Sequence, residues 1–190
     1  MTWIGHNGGP SPEPGQTWRR HCWQQARERL LPTLPVEVVR LRVKRAAELG
    51  LDYRTYASVR AATGHDVVAF LFSSNALRLL APASVLPADR AAKLASLADC
   101  GRVALAIRPL TVADVARAAT ARAGGPLLEA VHPAPDLLGR WREAGLALRS
   151  ALGQVPGDRV ILVGETALER DWCAAGRLAG WIAADRYFGA

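Results

Sequence analysis

Five clusters of polar residues in this chain carry groups capable of chemistry, and each follows an apolar run. Ser73-Ser74-Asn75 follows Val67–Phe72, Arg108 follows Arg102–Ile107, and His132 follows Leu127–Val131. Glu165-Thr166 follows Arg159–Val163, and Asp185-Arg186 follows Trp181–Ala184. Together they offer hydroxyls, an amide, guanidinium groups, an imidazole and carboxylates. Arg108 can clamp a phosphate or carboxylate in bidentate fashion. A helix opening at Ser74-Asn75 would point free backbone N–H groups at an anion. His132 can transfer protons near neutral pH, with Glu165 as its orienter or as a second acid or base. The candidate catalytic residues are therefore His132 and Glu165, and the candidate ligand-binding residues are Ser74, Asn75, Arg108 and Thr166. The bland counterpart is that loops after strands are polar in any case, and that Ser, Thr and Asn are routine helix caps.

Other chemistries have little support. No GxxxxGK[ST] loop, no GxGxxG after a strand, no GxSxG elbow, no HExxH and no EF-hand loop occurs. The three cysteines, Cys22, Cys100 and Cys173, are far apart and form no CxxC, which speaks against a disulfide framework and against a zinc knuckle. His21-Cys22 is the one His/Cys neighbour pair, and adjacent helical residues diverge too far to share a metal. Neither a cofactor nor a metal is expected. No apolar run reaches the roughly 18 residues of a membrane span. The opening Met1–His6 has no basic stretch followed by a long apolar one, so a cytoplasmic compartment is expected.

Gly164-Glu165-Thr166, with Asp171 and Ala174-Ala175-Gly176, resembles the last motif of haloacid-dehalogenase-like phosphatases. That family also carries a DxD nucleophile motif after an earlier strand. None is present, and Glu165 stands where the family has Asp, so neither membership nor phosphatase activity is carried over.

The charge is uneven. Of 190 residues, 24 are Lys or Arg and 17 are Asp or Glu, a formal net charge of +7. Residues 17–60 hold ten bases and four acids, a balance of +6. Such a segment suits an anionic partner, and Arg19, Arg27, Arg40, Lys44 and Arg60 are its candidate nucleic-acid contacts. A solvated helix surface has the same composition.

Along the chain, residues 1–16 are rich in Gly and Pro and read as a tail. A basic helical segment follows over 17–65, with helices from Thr17 to Leu31, from about Pro35 to Gly50 and from Asp52 to Thr63. Val39–Lys44 alternates like a strand, but the flanking Pro35 and Gly50 and the run Arg45–Leu49 favour helix. From 66 to 190 the pattern alternates. Strands are expected at Val67–Phe72, Arg102–Ile107, Leu127–Val131, Arg159–Val163 and Trp181–Ala184. Helices are expected after Ser74, over 88–99, from Thr111 to Ala123, from Asp136 to about Leu152 and from Thr166 to Leu178. Alternation of this kind predicts an α/β fold, a parallel sheet of about five strands with helices on both faces. Of the tryptophans, Trp141 and Trp172 are expected to pack on the sheet, and Tyr187-Phe188 to dock.

Three functions follow as expectations. The first is a small α/β protein that binds an anionic, phosphate-bearing ligand, a nucleotide or nucleic-acid backbone, at the strand rim or on the basic helices. The second is a helix-turn-helix-like DNA-binding regulator built from residues 36–80, which requires 66–80 to be one helix. The third is a non-catalytic scaffold or subunit that assembles with itself or with a partner protein.

Overall fold

The computed structural model describes residues 34–120, 126–136 and 138–189. Residues 40–190 form one compact unit. The expected helix over Thr17–Leu31, with Arg19 and Arg27, lies outside the described residues, as do Cys22, Trp3, Trp18 and Trp23.

Two helices come first, α1 (Val36–Glu48) and α2 (Tyr53–Thr63). The period-two pattern in α1 does not make it a strand. Only Ala46 within it is buried, so no sheet face exists to reward the alternation. Helix α2 is closed at both ends by its own sequence. Asp52 caps it by accepting from the Thr55 N–H at 2.8 Å, and Gly64 follows at a φ of 76°, a left-handed conformation that Gly adopts without strain.

The sheet has five parallel strands, β1 (Ala69–Ser73), β2 (Gly101–Ala106), β3 (Ala130–Pro133), β4 (Val160–Gly164) and β5 (Gly180–Ala183), in the order β3-β2-β1-β4-β5. Helices α3 (Ala88–Ala95), α4 (Val112–Thr120), α5 (Trp141–Leu152) and α6 (Ala167–Ala175) alternate with the strands, and the short α7 (Ala184–Phe188) ends the chain. Every residue of β1 and β4 is buried, as expected of central parallel strands covered on both faces. Alternate residues supply two cores. Phe70, Phe72, Ala104, Ile161 and Val163 pack with residues of α1 to α4 and α7. Ala69, Leu71, Leu105, Val160 and Leu162 pack with residues of α5 and α6.

This division follows from handedness. Right-handed crossovers from β1 to β2 to β3 run outward in one direction and put α3 and α4 on one face. The crossover from β4 to β5 runs the other way and puts α6 on the opposite face. The reversal makes the carboxyl ends of β1 and β4 the topological switch point, beyond which open α/β sheets hold ligands.

Several expectations are corrected. Residues 74–80 do not form a helix. They make one turn in which the Leu79 N–H donates to Ser74 O and the Arg78 N–H to Asn75 O, closed by Arg78 at a φ of 55°. With Pro82 close behind, the chain has no room to propagate the turn. The single helix over 66–80 required by the DNA-binding alternative is likewise not formed, because its apolar first half is β1. Strand β3 begins three residues later than expected, so His132 lies inside it and pairs with Leu105. Asp136 does not cap α5. Its carboxylate accepts from Leu138 N in a turn, and α5 starts at Trp141 with Arg140 before it. Trp141 is exposed rather than packed on the sheet, whereas Trp172 and Tyr187 are buried.

Candidate functional site

The switch point holds a buried carboxylate that the residue pattern alone does not single out. Glu169, in the first turn of α6, is fully buried. Its Oε2 accepts from Ser73 Oγ at 2.7 Å and from the Glu165 N–H at 2.7 Å, and its Oε1 accepts from Asn75 Nδ2 at 2.7 Å. Thr166 caps the helix by accepting from the Glu169 N–H. Thr166-Ala167-Leu168-Glu169 is a capping-box pattern, and that signal alone could have pointed to Glu169. Here the glutamate reaches past the cap residue to the N–H before it and then across to β1, fastening the two central strands at their carboxyl ends.

Gly164 makes this approach possible. A Cβ at that position would lie 2.7 Å from Glu169 Oε2 and 2.8 Å from Trp181 Nε1, so any side chain there would displace the carboxylate.

Of the candidate ligand-binding residues, Ser74, Asn75 and Thr166 are thus gathered at one place, but largely by structural bonds. Ser74 is fully buried, its Oγ accepting from the Ile107 N–H and its N–H donating to Leu105 O, which ties β1 to β2. Asn75 and Thr166 hold Glu169 as described. Glu165 follows β4 at the switch point and is exposed.

Arg108 and His132 are elsewhere. Arg108 is exposed and lines a cleft of about 120 Å³ with Ile107, Ala134, Pro135 and Asp136, beyond β2 and β3. His132 is half-buried in β3. Strands β2 and β1 separate β3 from β4, which at about 4.8 Å per strand places His132 about 14 Å from the strand that Glu165 follows. Glu165 does not orient His132, and the two form no acid–base pair. Asp185 and Arg186, after β5, lie in α7, where Arg186 Nη2 reaches Thr55 Oγ1 at 2.6 Å.

The second group that the sequence did not reveal is Arg90. Nothing distinguishes it in Ala88–Ala95 except its place in the first turn of α3. Because α3 leads back from the turn after β1 to the start of β2, that first turn sits at the carboxyl end of the sheet. The Arg90 side chain is 1% exposed, with its guanidinium carbon 4.1 Å above the Phe188 ring, and Phe188 lies 6.0 Å from Phe72 of β1. Its Nε is 3.8 Å from Asp89, beyond hydrogen-bond distance, and neither Nε nor Nη1 has a hydrogen-bond partner among the described residues. Burial lowers the Arg90 pKa. Asp89 opposes that, Arg78 adds to it and Glu165 opposes it, so residues following both β1 and β4 act on this guanidinium.

In the described part of the basic segment, Arg45 and Arg60 are tied up within the fold. Arg60 pairs with Asp66 at 3.7 Å, as does Arg45 at 3.2 Å, and Arg45 also donates to the carbonyls of Val67, Ala98 and Asp99. Arg40 and Lys44 stay exposed on α1, with Lys44 3.8 Å from Glu48. The half-buried thiols of Cys100 and Cys173 are free, and burial raises the pKa of both.

No group of three or more His, Cys, Asp or Glu side chains suited to a metal occurs among the described residues. Likewise, none of their helices is long and apolar enough to cross a membrane. No family model, no curated protein and no solved structure gives a significant match to the chain. The resemblance to the last phosphatase motif can be weighed on the fold itself. Strand β4 lies between β1 and β5, and β1 ends in Ser73 and is followed by Ser74-Asn75, none of which carries a carboxylate.

Proposed function

We propose that this chain binds an anionic, phosphate-bearing ligand at the switch point between the carboxyl ends of β1 and β4, and holds it without breaking a bond. The observation that carries this reading is Arg90. A guanidinium removed from water with two unpaired nitrogens is costly, about 1–3 kcal/mol for each unsatisfied donor. Its position at the switch point is where an anion would relieve that cost, with Arg78 alongside to add charge. Holding rather than turnover is supported by Glu169, whose oxygens are committed to three short hydrogen bonds, and by the lack of a carboxylate after β1 that could act as a nucleophile. A cytoplasmic setting fits the free thiols of Cys100 and Cys173.

The test is ligand-induced thermal stabilisation. The wild type should gain stability in millimolar phosphate, sulfate or nucleotide, and Arg90→Met, which keeps the bulk and removes the charge, should lose that gain. Absence of stabilisation in the wild type sinks the proposal. A gain that survives Arg90→Met and disappears in Arg108→Ala would move the site to the cleft beyond β2 and β3. Binding of a random duplex that weakens steeply with salt, with no response to the small anions, would favour the nucleic-acid form of the ligand.

A further inference from the structure

We propose that the chain self-associates head to tail, the Leu41 side chain on α1 of one copy entering the cleft between α5 and α6 of the next. This contact is independent of the anion site. Both halves of it are unusual surfaces. Leu41 is 68% exposed, with Arg40 before it and Lys44 one helical turn on. On the other side, Trp141 at the start of α5 is 58% exposed and Leu168 at the start of α6 is 44% exposed. They line a common cleft of about 100 Å³ together with Ala144, Asp136 and Asp171, and the fully projecting Leu138 stands nearby.

The chemistry of the two surfaces is complementary. The cleft has apolar walls of a size to take one aliphatic side chain, and a rim carrying two carboxylates. Neither Asp136 nor Asp171 is in an ion pair among the described residues. The knob is a single aliphatic side chain with Arg40 before it, Lys44 one turn on and Glu37 one turn back, and Arg40 has no ion-pair partner among the described residues. On a chain with a net charge of +7 this cleft presents two carboxylates beside Trp141 and Leu168, and a second copy offers bases on α1.

Placement decides the geometry. Helix α1 packs through Ala46 on the core face that holds Phe70 and Phe72, whereas α5 and α6 pack through Ala144, Leu148 and Trp172 on the other. Knob and cleft therefore lie on opposite faces of the sheet and form a heterologous contact, which leaves one knob and one cleft open on every pair.

Sedimentation velocity of the full chain tests this. The weight-average mass should rise above that of one chain as concentration increases, and fall back with added salt. Leu41→Asp would set an acid against Asp136 and Asp171, and Trp141→Arg would set a base against Arg40 and Lys44. Each variant alone should remain monomeric. Mixed in equal amounts they should form a species of two chains and stop there, because one supplies an intact knob and the other an intact cleft. That recovery also shows that both variants are folded. A wild type that is monomeric at every concentration, association undiminished by either variant, or a mixture that stays monomeric would each overturn the proposal.

Discussion

Two buried charges sit at the same end of the same sheet and differ in everything but position. Glu169 has both oxygens engaged by the Ser73 hydroxyl, the Asn75 amide and the Glu165 N–H. Arg90 rests on the Phe188 ring with Nε and Nη1 unpartnered among the described residues. The first is what a structural charge looks like, its desolvation offset by short, directed bonds from groups that the fold delivers. The second is a charge whose desolvation is offset only in part, by the Phe188 ring and by Asp89 at 3.8 Å. Proximity to a switch point does not by itself separate the two; the hydrogen bonds each group makes do.

If Glu169 is structural, Glu169→Ala should be the most damaging single substitution at this end of the sheet. It leaves the Ser73 hydroxyl, the Asn75 amide and the Glu165 N–H facing a cavity. The expected loss is about 3 kcal/mol or more of unfolding free energy by chemical denaturation. A loss under about 1 kcal/mol would mean that the bonds are incidental.

A satisfied carboxylate at the surface supplies the next point on the scale. Asp52 caps α2, and its pKa is lowered by the hydrogen bonds from the Thr55 hydroxyl and N–H, with Arg186 adding to the effect. Removing the cap in Asp52→Ala should cost about 1 kcal/mol at neutral pH. A carboxyl whose folded pKa is lowered contributes stability above its unfolded pKa and loses it as pH falls through the folded value. The gap between wild type and Asp52→Ala should therefore close in acid, below the ordinary aspartate range. Parallel denaturation curves at neutral pH and in acid read this directly, and a gap that is constant with pH would contradict it.

Arg90→Met should fall on the other side of the comparison. Replacing a buried cation whose Nε and Nη1 make no hydrogen bond among the described residues by an apolar side chain of similar length should leave stability within about 1 kcal/mol of wild type, or raise it, while abolishing stabilisation by anions. A large loss of stability would show that Arg90 has an internal role like that of Glu169. The smallest effect is expected at Arg108, which is exposed. Arg108→Ala should change unfolding free energy by no more than about 0.5 kcal/mol and leave the anion response intact.

What is legible in the sequence, and what is not, has a physical reason. Strands β1 and β4 are readable as unbroken apolar runs because both their faces are covered. Asp52 and Gly64 are readable because capping is local chemistry. The turn after Ser73 reads wrongly as a helix because a serine–asparagine cap cluster is compatible with a full helix or with one closed turn, and Arg78 in the left-handed region has no sequence signature. Strand β3 reads three residues early because it is a four-residue edge strand whose residues are only partly buried, so the apolar run before it outweighs it. His132 and Glu165 look like partners because a sequence lists strand ends without their spatial order. The order β3-β2-β1-β4-β5 sets them apart and brings Ser73, Asn75 and Glu169 together. Arg90 has no signal at all, since one arginine among so many is informative only once its burial is known.

The central position of β1 also bears on how the chain reaches this state during synthesis. Its Ala69 pairs with Gly101 on one side and with Val160 on the other. A ribosome adding on the order of 5–20 residues per second delivers the second neighbour several seconds after β1 has left the exit tunnel. Through that interval a strand that is fully buried in the finished sheet has one open edge, and the closure awaits a contact distant in sequence, the class that slows folding. Growing chains truncated before residue 160 are thus the ones expected to aggregate or to recruit chaperones, and chains extended past Glu169 should escape, because that residue then fastens the seam.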